Sequence, residues 1–245
     1  MVKTVDYDSR RRSVLAATIN KYISEAEPVA SEDIAKDFSL SSATIRNIFV
    51  ELEESGLIMH PYTSGGRMPT QKGYRYYVDF LLSQMELLEE EKEHILKEYK
   101  KEIRLLEDTL QKTSEILSTI THYAGIVSFL ERQDTFFYRG ISQVLDQPEF
   151  HNLETMRVLI RMIEEKENLL EIINRDFNQK VKVYIGEELG FPGMENCSLV
   201  VCNYRRKDRP LGKIAVLGPV RMEYKHIIPT LEYVALALAD VLDGM

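Results

Sequence analysis

Apolar residues recur at helical spacing in three short runs near the start of the chain. Val14, Leu15, Ile19, Tyr22 and Ile23 lie on one face of a first helix predicted over residues 8–26, with Asp8 or Ser9 as its cap. Glu27-Pro28-Val29 breaks that pattern, and a second helix restarts with Ser31 as its expected cap, acids in its first turn and Ile34, Ala35 and Phe38 facing inward. After a turn at Ser39-Leu40-Ser41, a third helix is entered through Ser41 or Ser42, carries Ile45, Phe49 and Leu52 at helical spacing, and is stopped by Gly56. Two extended pieces follow, Ile58–His60 and Arg67–Thr70, joined by the turn Thr63-Ser64-Gly65-Gly66. Three helices and a two-stranded tongue are the plan of a winged helix-turn-helix. A further helix opens at Gly73, with Tyr77, Phe80 and Leu81 expected to pack and Tyr74 and Arg75 left between packing and contact with a nucleic-acid backbone.

The pattern then changes. Residues 84–122 are highly charged and lack Gly and Pro. Leu96, Ile103, Leu110 and Leu117 recur every seven residues, and Tyr99, Leu106, Thr113 and Ile120 form the second set. Such a stripe is a coiled-coil seam. It fits either a homodimer interface, built on Leu96, Tyr99, Ile103, Leu106, Leu110, Leu117 and Ile120, or a hairpin with another helix of the same chain; the dimer is favoured because helix-turn-helix repressors bind paired half-sites. Beyond it, strands are expected at Ala124–Phe129, Val181–Ile185, Cys197–Tyr204 and Lys213–Leu217, with helices over 153–177 and 229–242. The fold class expected is α+β, in three parts: a winged-helix domain over 1–82, a long linking helix over 83–122, and a mixed antiparallel domain over 123–245.

Charge narrows the function. The net charge of −8 argues against non-specific coating of nucleic acid, which needs a broad basic surface. It leaves room for a local basic face, because from His60 to Val78 the only charges are Arg67, Lys72 and Arg75. Ser42, Thr44, Arg46 and Asn47 are the candidate outward groups of the third helix: Arg can donate two bonds to guanine, Asn can pair with adenine, and hydroxyls suit phosphates. The tongue adds Thr63, Ser64, Gly65, Gly66 and Arg67, and the entry to the next helix adds Lys72, Tyr74 and Arg75. Arg10, Arg11 and Arg12 are either a solvated cluster or a phosphate contact. Glu51, Glu53 and Glu54 repel phosphate, so the far end of the third helix must point away from a duplex.

Catalysis has no foothold in the sequence. His60, His94, His122, His151 and His226 are scattered, and neither a phosphate-binding loop nor metal-ligand spacing is present, so no cofactor or metal is expected. Cys197 and Cys202 read as reduced packing residues of a cytoplasmic protein. No apolar run approaches the ~18–20 residues of a membrane span. Gly186-Glu187-Glu188 and the stretch Gly218–Tyr224 could line a small-molecule pocket, or be turns in which Arg221 pairs with an acid such as Glu187.

The words SSATIRN, ELEESGLI, PYTSGGRMPT and KGYRYYVDFL, with EPVASEDIAKDF before them, resemble the DNA-binding region of the HrcA heat-shock repressors over residues 8–82. The chain departs from that pattern at Tyr62 (usually His), Gly65 (usually Ala) and Ile48-Phe49 (usually Glu-Met). GISQVLDQPEF, VYIGEE, CSLVVCNY and GKIAVLGPVRMEY resemble the closing part of the same family's GAF-like domain. Family members usually carry on the order of a hundred more residues before the QPEF word, so the resemblance implies a truncated GAF-like domain. It also implies an inverted-repeat operator in double-stranded DNA before chaperone genes, release by heat, and the chaperonin GroEL as a partner. Two other readings share the same residues: a ligand-responsive regulator with a carboxyl-terminal pocket, and a protein-interaction adaptor.

Overall fold

The computed structural model describes residues 2–61, 65–82, 91–93, 95, 106–130, 136–175, 179–206 and 209–244, with side chains from Ser9 onward. The chain divides into two compact units, Met1–Ser83 and Gln84–Met245.

The first unit holds α1 (Val2–Glu25), α2 (Ser31–Phe38), α3 (Ser42–Glu54), β1 (Ile58–Met59), β2 (Met68–Pro69) and α4 (Gln71–Leu81). α1 starts earlier than the predicted cap at Asp8 or Ser9, so Arg10, Arg11 and Arg12 lie within the helix and not in its first turn. Val14, Leu15, Ile19, Ile34, Ile45, Ile48, Phe49, Leu52, Tyr77 and Val78 are buried and form the domain's core. Burial of Ile48 and Phe49 explains why that family departure is one of packing: both side chains point away from α3's exposed face. β1 and β2 pair antiparallel, Ile58 opposite Pro69 and Met59 opposite Met68. A third backbone piece joins them, because Val29 and Arg67 exchange both backbone hydrogen bonds (2.8 and 2.9 Å). The Pro28-Val29 break between helices therefore anchors the tongue.

The second unit is built on a five-stranded, wholly antiparallel sheet of order β4-β3-β7-β6-β5. Its strands are β3 (Ala124–Phe129), β4 (Phe136–Arg139), β5 (Val181–Ile185), β6 (Cys197–Arg206) and β7 (Arg209–Pro219). β4 is an edge strand that the sequence pattern missed, since FFYR is too short and too aromatic to show a period. Helices α5 (Leu106–Thr121) and α9 (Tyr224–Asp243) cover one face; α5 packs on β3 and β4, and α9 on β6 and β7. The other face meets α6 (Ile141–Leu145), α7 (Leu153–Glu164) and α8 (Lys166–Asn174), where Ala124, Ile126, Leu199, Val201, Ala215 and Leu217 join Leu159, Met162, Leu169 and Ile173 in one apolar cluster. Two-sided burial explains why β6 and β7 read as nearly unbroken apolar runs. The predicted helix over 153–177 is two helices broken at Glu165, and the last helix begins at Tyr224 with Pro229 inside it.

Of the seven-residue stripe, Leu96, Tyr99 and Ile103 lie outside the described residues. Leu110 and Leu117 are buried, at 2% and 0% exposure, within α5, which packs on the chain's own sheet. Those two positions are therefore occupied inside the monomer, which corrects the expectation that they form a seam with a second copy. Leu106 and Ile120 are only partly covered.

Candidate nucleic-acid interface

α3 is set by its ends. The Ser41 hydroxyl accepts from the Thr44 backbone N–H at 3.1 Å and also meets the Thr44 hydroxyl at 2.8 Å, so both side chains serve the N-cap. At the other end Gly56 takes a φ of +68°, its N–H donates to the Glu53 carbonyl (2.8 Å), and the Leu57 N–H donates to the Leu52 carbonyl (2.9 Å). That is a Schellman stop, and it needs the left-handed conformation glycine adopts without strain. Arg11 donates from α1 to the Glu51 carbonyl and the Ser55 hydroxyl, which puts a cation at the negative end of α3. One member of the Arg10–Arg12 cluster is thus a structural clasp.

Among the predicted contact residues, Arg46 and Asn47 are exposed on α3, while Ser42 and Thr44 are half-buried. Arg46 leans back on α2, with Nε donating to the Ser31 hydroxyl at 3.2 Å and a loose pair to Glu32 at 3.6 Å. The expected cap at Ser31 is corrected: Ser31 is the first residue of α2, whose N-cap is Ala30 without a side-chain cap bond. With its side chain 65% exposed, Arg46 can exchange this pair for a phosphate or a guanine.

The tongue divides differently. Thr63 and Ser64 lie outside the described residues, and Gly65 is exposed with open space around it. Gly66 is buried, and a Cβ there would stand 2.6 Å from the Pro28 carbonyl, so it is a packing glycine. Arg67 is mostly covered, with Nε 3.0 Å from the Glu53 carboxylate. It ties the tongue to α3 and in doing so neutralises one of the acids that would repel a duplex. Lys72 donates to the Ser55 carbonyl at 2.9 Å, and Arg75 pairs with Asp79 at 3.4 Å. Tyr74 is 3% exposed, so its ring is core; the expectation that Tyr74 and Gly66 face a duplex is corrected, because both are needed to seat α4 and the tongue. Tyr77 is buried beside them and donates to Asn20, whereas Phe80, expected inside, is 41% exposed. The residue missed by reading the sequence for polar groups is Val50, an apolar side chain 48% exposed on α3.

The described residues of the second unit show no comparable arrangement of reactive groups. No group of three or more potential metal-binding side chains occurs among the described residues. Arg221 pairs with Glu149 at 2.6 Å and donates to Gln147 at 2.9 Å, not with Glu187. The words QPEF and GPVRMEY are therefore two halves of one clasp. A groove of about 430 Å³ is bordered by Arg161, Glu165, Asn168, Arg175, Gly190 and Phe191, and neither stretch expected to line a pocket, Gly186-Glu187-Glu188 or Gly218–Tyr224, contributes to it. No described helix is long and apolar enough to cross a membrane.

Comparison with known proteins agrees with this division. The family model described as "Winged helix-turn-helix transcription repressor, HrcA DNA-binding" matches residues 7–79, and the one described as "HrcA protein C terminal domain" matches residues 128–228. The heat-inducible transcription repressor HrcA of Pelotomaculum thermopropionicum is 28% identical over 337 aligned positions, which take in 96% of this chain and 97% of that one. That of Carboxydothermus hydrogenoformans is 29% identical over 335 positions, with 96% and 98% covered. Both alignments are longer than the 245 residues of this chain, so these relatives carry residues with no counterpart here. A crystal structure of a hypothetical protein superposes with a TM-score of 0.78 at 19% identity, covering 96% of this chain and 98% of the other, and so shares the fold. Family models at both ends and end-to-end alignments place this chain in the HrcA family.

Proposed function

We propose that the chain is a sequence-specific, DNA-binding transcriptional repressor of heat-shock (chaperone) genes that binds an inverted-repeat operator as a homodimer in the cytoplasm. One observation carries the reading. In a unit that matches a DNA-binding winged helix, α3 is capped and braced from inside, and its exposed face presents Asn47 and a displaceable Arg46. α3 enters the major groove by its N-terminal half; the tongue, held to α3 by Arg67–Glu53, lies along the backbone with Gly65 at its tip. The names of the relatives support repression and heat inducibility. The family resemblance adds GroEL as a partner, and the antiparallel sheet covered by helices on both faces supports a GAF-like carboxyl-terminal domain.

The test is selection of duplexes from a random pool with the purified chain, followed by a salt series on the selected site. Affinity is expected to fall steeply with added salt, and Asn47→Ala is expected to weaken binding tenfold or more while relaxing preference at one base pair. A pool returned without a preferred sequence would overturn the reading and favour an adaptor.

A further inference from the structure

We infer that Val50 is a specificity-determining residue that reads the methyl group of a thymine in each half-site; the inference rests on the DNA-binding reading above and deepens it. Successive residues of a helix turn by about 100°, so Ala43, Asn47, Val50 and Glu54 form one stripe, diametrically opposite the buried Ile45, Ile48, Phe49 and Leu52. All four stripe residues are exposed. The stripe's chemistry runs in order from a methyl, through a carboxamide, to a branched apolar side chain, and ends at a carboxylate. Arg46 lies to one side of the stripe and is braced by Ser31 and Glu32, while Thr44 is engaged in the cap.

Val50 is the group on this face that water solvates worst. A phosphate would gain nothing from it and would lose hydration beside it. The apolar feature a duplex presents in its major groove is the C5 methyl of thymine, and aliphatic side chains pair with it. Ala43 to Val50 spans about 10 Å along the helix axis, on the order of three base-pair steps. Asn47 and Val50 are about 4.5 Å apart along that axis, so the thymine read by Val50 lies within about two base pairs of the adenine read by Asn47. Glu54, one turn beyond, sets the limit of contact, because a carboxylate repels the backbone.

Atomic substitution in the DNA tests this. Each thymine of the selected half-site is replaced in turn by deoxyuridine, which removes the methyl and keeps the pairing, and each duplex is titrated with the unaltered chain and with Val50→Ala. At one thymine the methyl loss is expected to weaken the unaltered chain about fourfold, and Val50→Ala is expected to cost a similar factor on the methylated site. The combination should be no weaker than either change alone. Because Val50 is 48% exposed, Val50→Ala should keep the parent's melting temperature, which separates lost contact from lost fold. The inference is overturned if every deoxyuridine duplex binds the unaltered chain as well as its parent, or if the methyl effect persists in full with Val50→Ala. It is also overturned if Val50→Ala leaves affinity unchanged but dissociates a dimer, since the contact would then be with protein. In each of those outcomes sequence-specific binding survives; its absence would bring down the repressor reading as well.

Discussion

Cys202 lies within β6 with no exposed surface, and burial pushes its thiol up to about 12; burial pushes the Cys197 thiol up as well. Both are protonated at neutral pH and shielded, so a thiol reagent should label them only at the rate at which the second unit opens, and denaturant should make labelling fast. The sign of the pH effect follows from the same shift. The unfolded thiol ionises near 9.0 while the folded one holds its proton to about 12, so the unfolded state loses protons first. The Cys202 contribution is complete below pH 9 and is lost as pH rises towards 12. Cys202→Val should flatten the alkaline fall in melting temperature over that window. At Arg67 the residue type was legible and its role was not. Its pairing with Glu53 predicts that Arg67→Ala destabilises the winged domain by about 1 kcal/mol, measured by thermal melting without DNA.

At the level of elements, two glycines of the winged domain separate turn chemistry from packing. A Cβ on Gly73 would stand 2.0 Å from the Leu57 carbonyl oxygen, whereas one on Gly65 meets nothing within 4 Å. Gly73→Ala is expected to destabilise by about 1–3 kcal/mol, through displacement of α4 from the tongue, and Gly65→Ala to stay within about 0.5 kcal/mol. Paired melts of the two variants check this. The cap at Ser41 is a similar local matter: Ser41→Ala removes the acceptor for Thr44 and should cost about 1 kcal/mol. Helix α5 is of another kind. Its buried Thr109, Thr113, Ser114 and Ser118 are short enough to let it approach β3, where Gly125 would carry a Cβ only 2.4 Å from the Ser114 carbonyl. Hydroxyls at Thr113 and Thr121 return to carbonyls of their own helix, which satisfies them inside the layer. A stripe that reads as a coiled-coil seam is, over this stretch, the underside of a sheet-covering helix.

For the molecule as a whole, that reassignment splits the dimer question. Leu110→Lys puts a charge into the second unit's own interior and should unfold it, by several kcal/mol, whatever the oligomeric state. Ile103→Lys, outside the described residues, bears on the proposed dimer: light scattering should report a change from dimer to monomer with folding retained. Retention of a dimer by Ile103→Lys would remove the heptad helix from the interface. The Arg221 clasp belongs at this scale too, since it joins residues more than seventy positions apart, and Arg221→Met should loosen the segment around Glu149 more than it lowers any local helix content.

Local chemistry made much of the winged unit readable in the chain itself. Caps, a Schellman glycine, proline breaks and 3.6-residue spacing act within a few positions, so α2, α3 and the tongue could be placed from their own residues, as could the apolar strands β3, β5, β6 and β7. Which polar groups point outward was decided only by folding. Arg11, Arg67 and Tyr74 have the composition of a nucleic-acid contact and are held in place by partners forty, fourteen and more positions away or by the core, while Val50, which looks like core, is left at the surface. The reason is geometric. A periodic pattern specifies a face relative to its own helix axis, and only the packing of that axis against others determines whether the face meets protein or solvent.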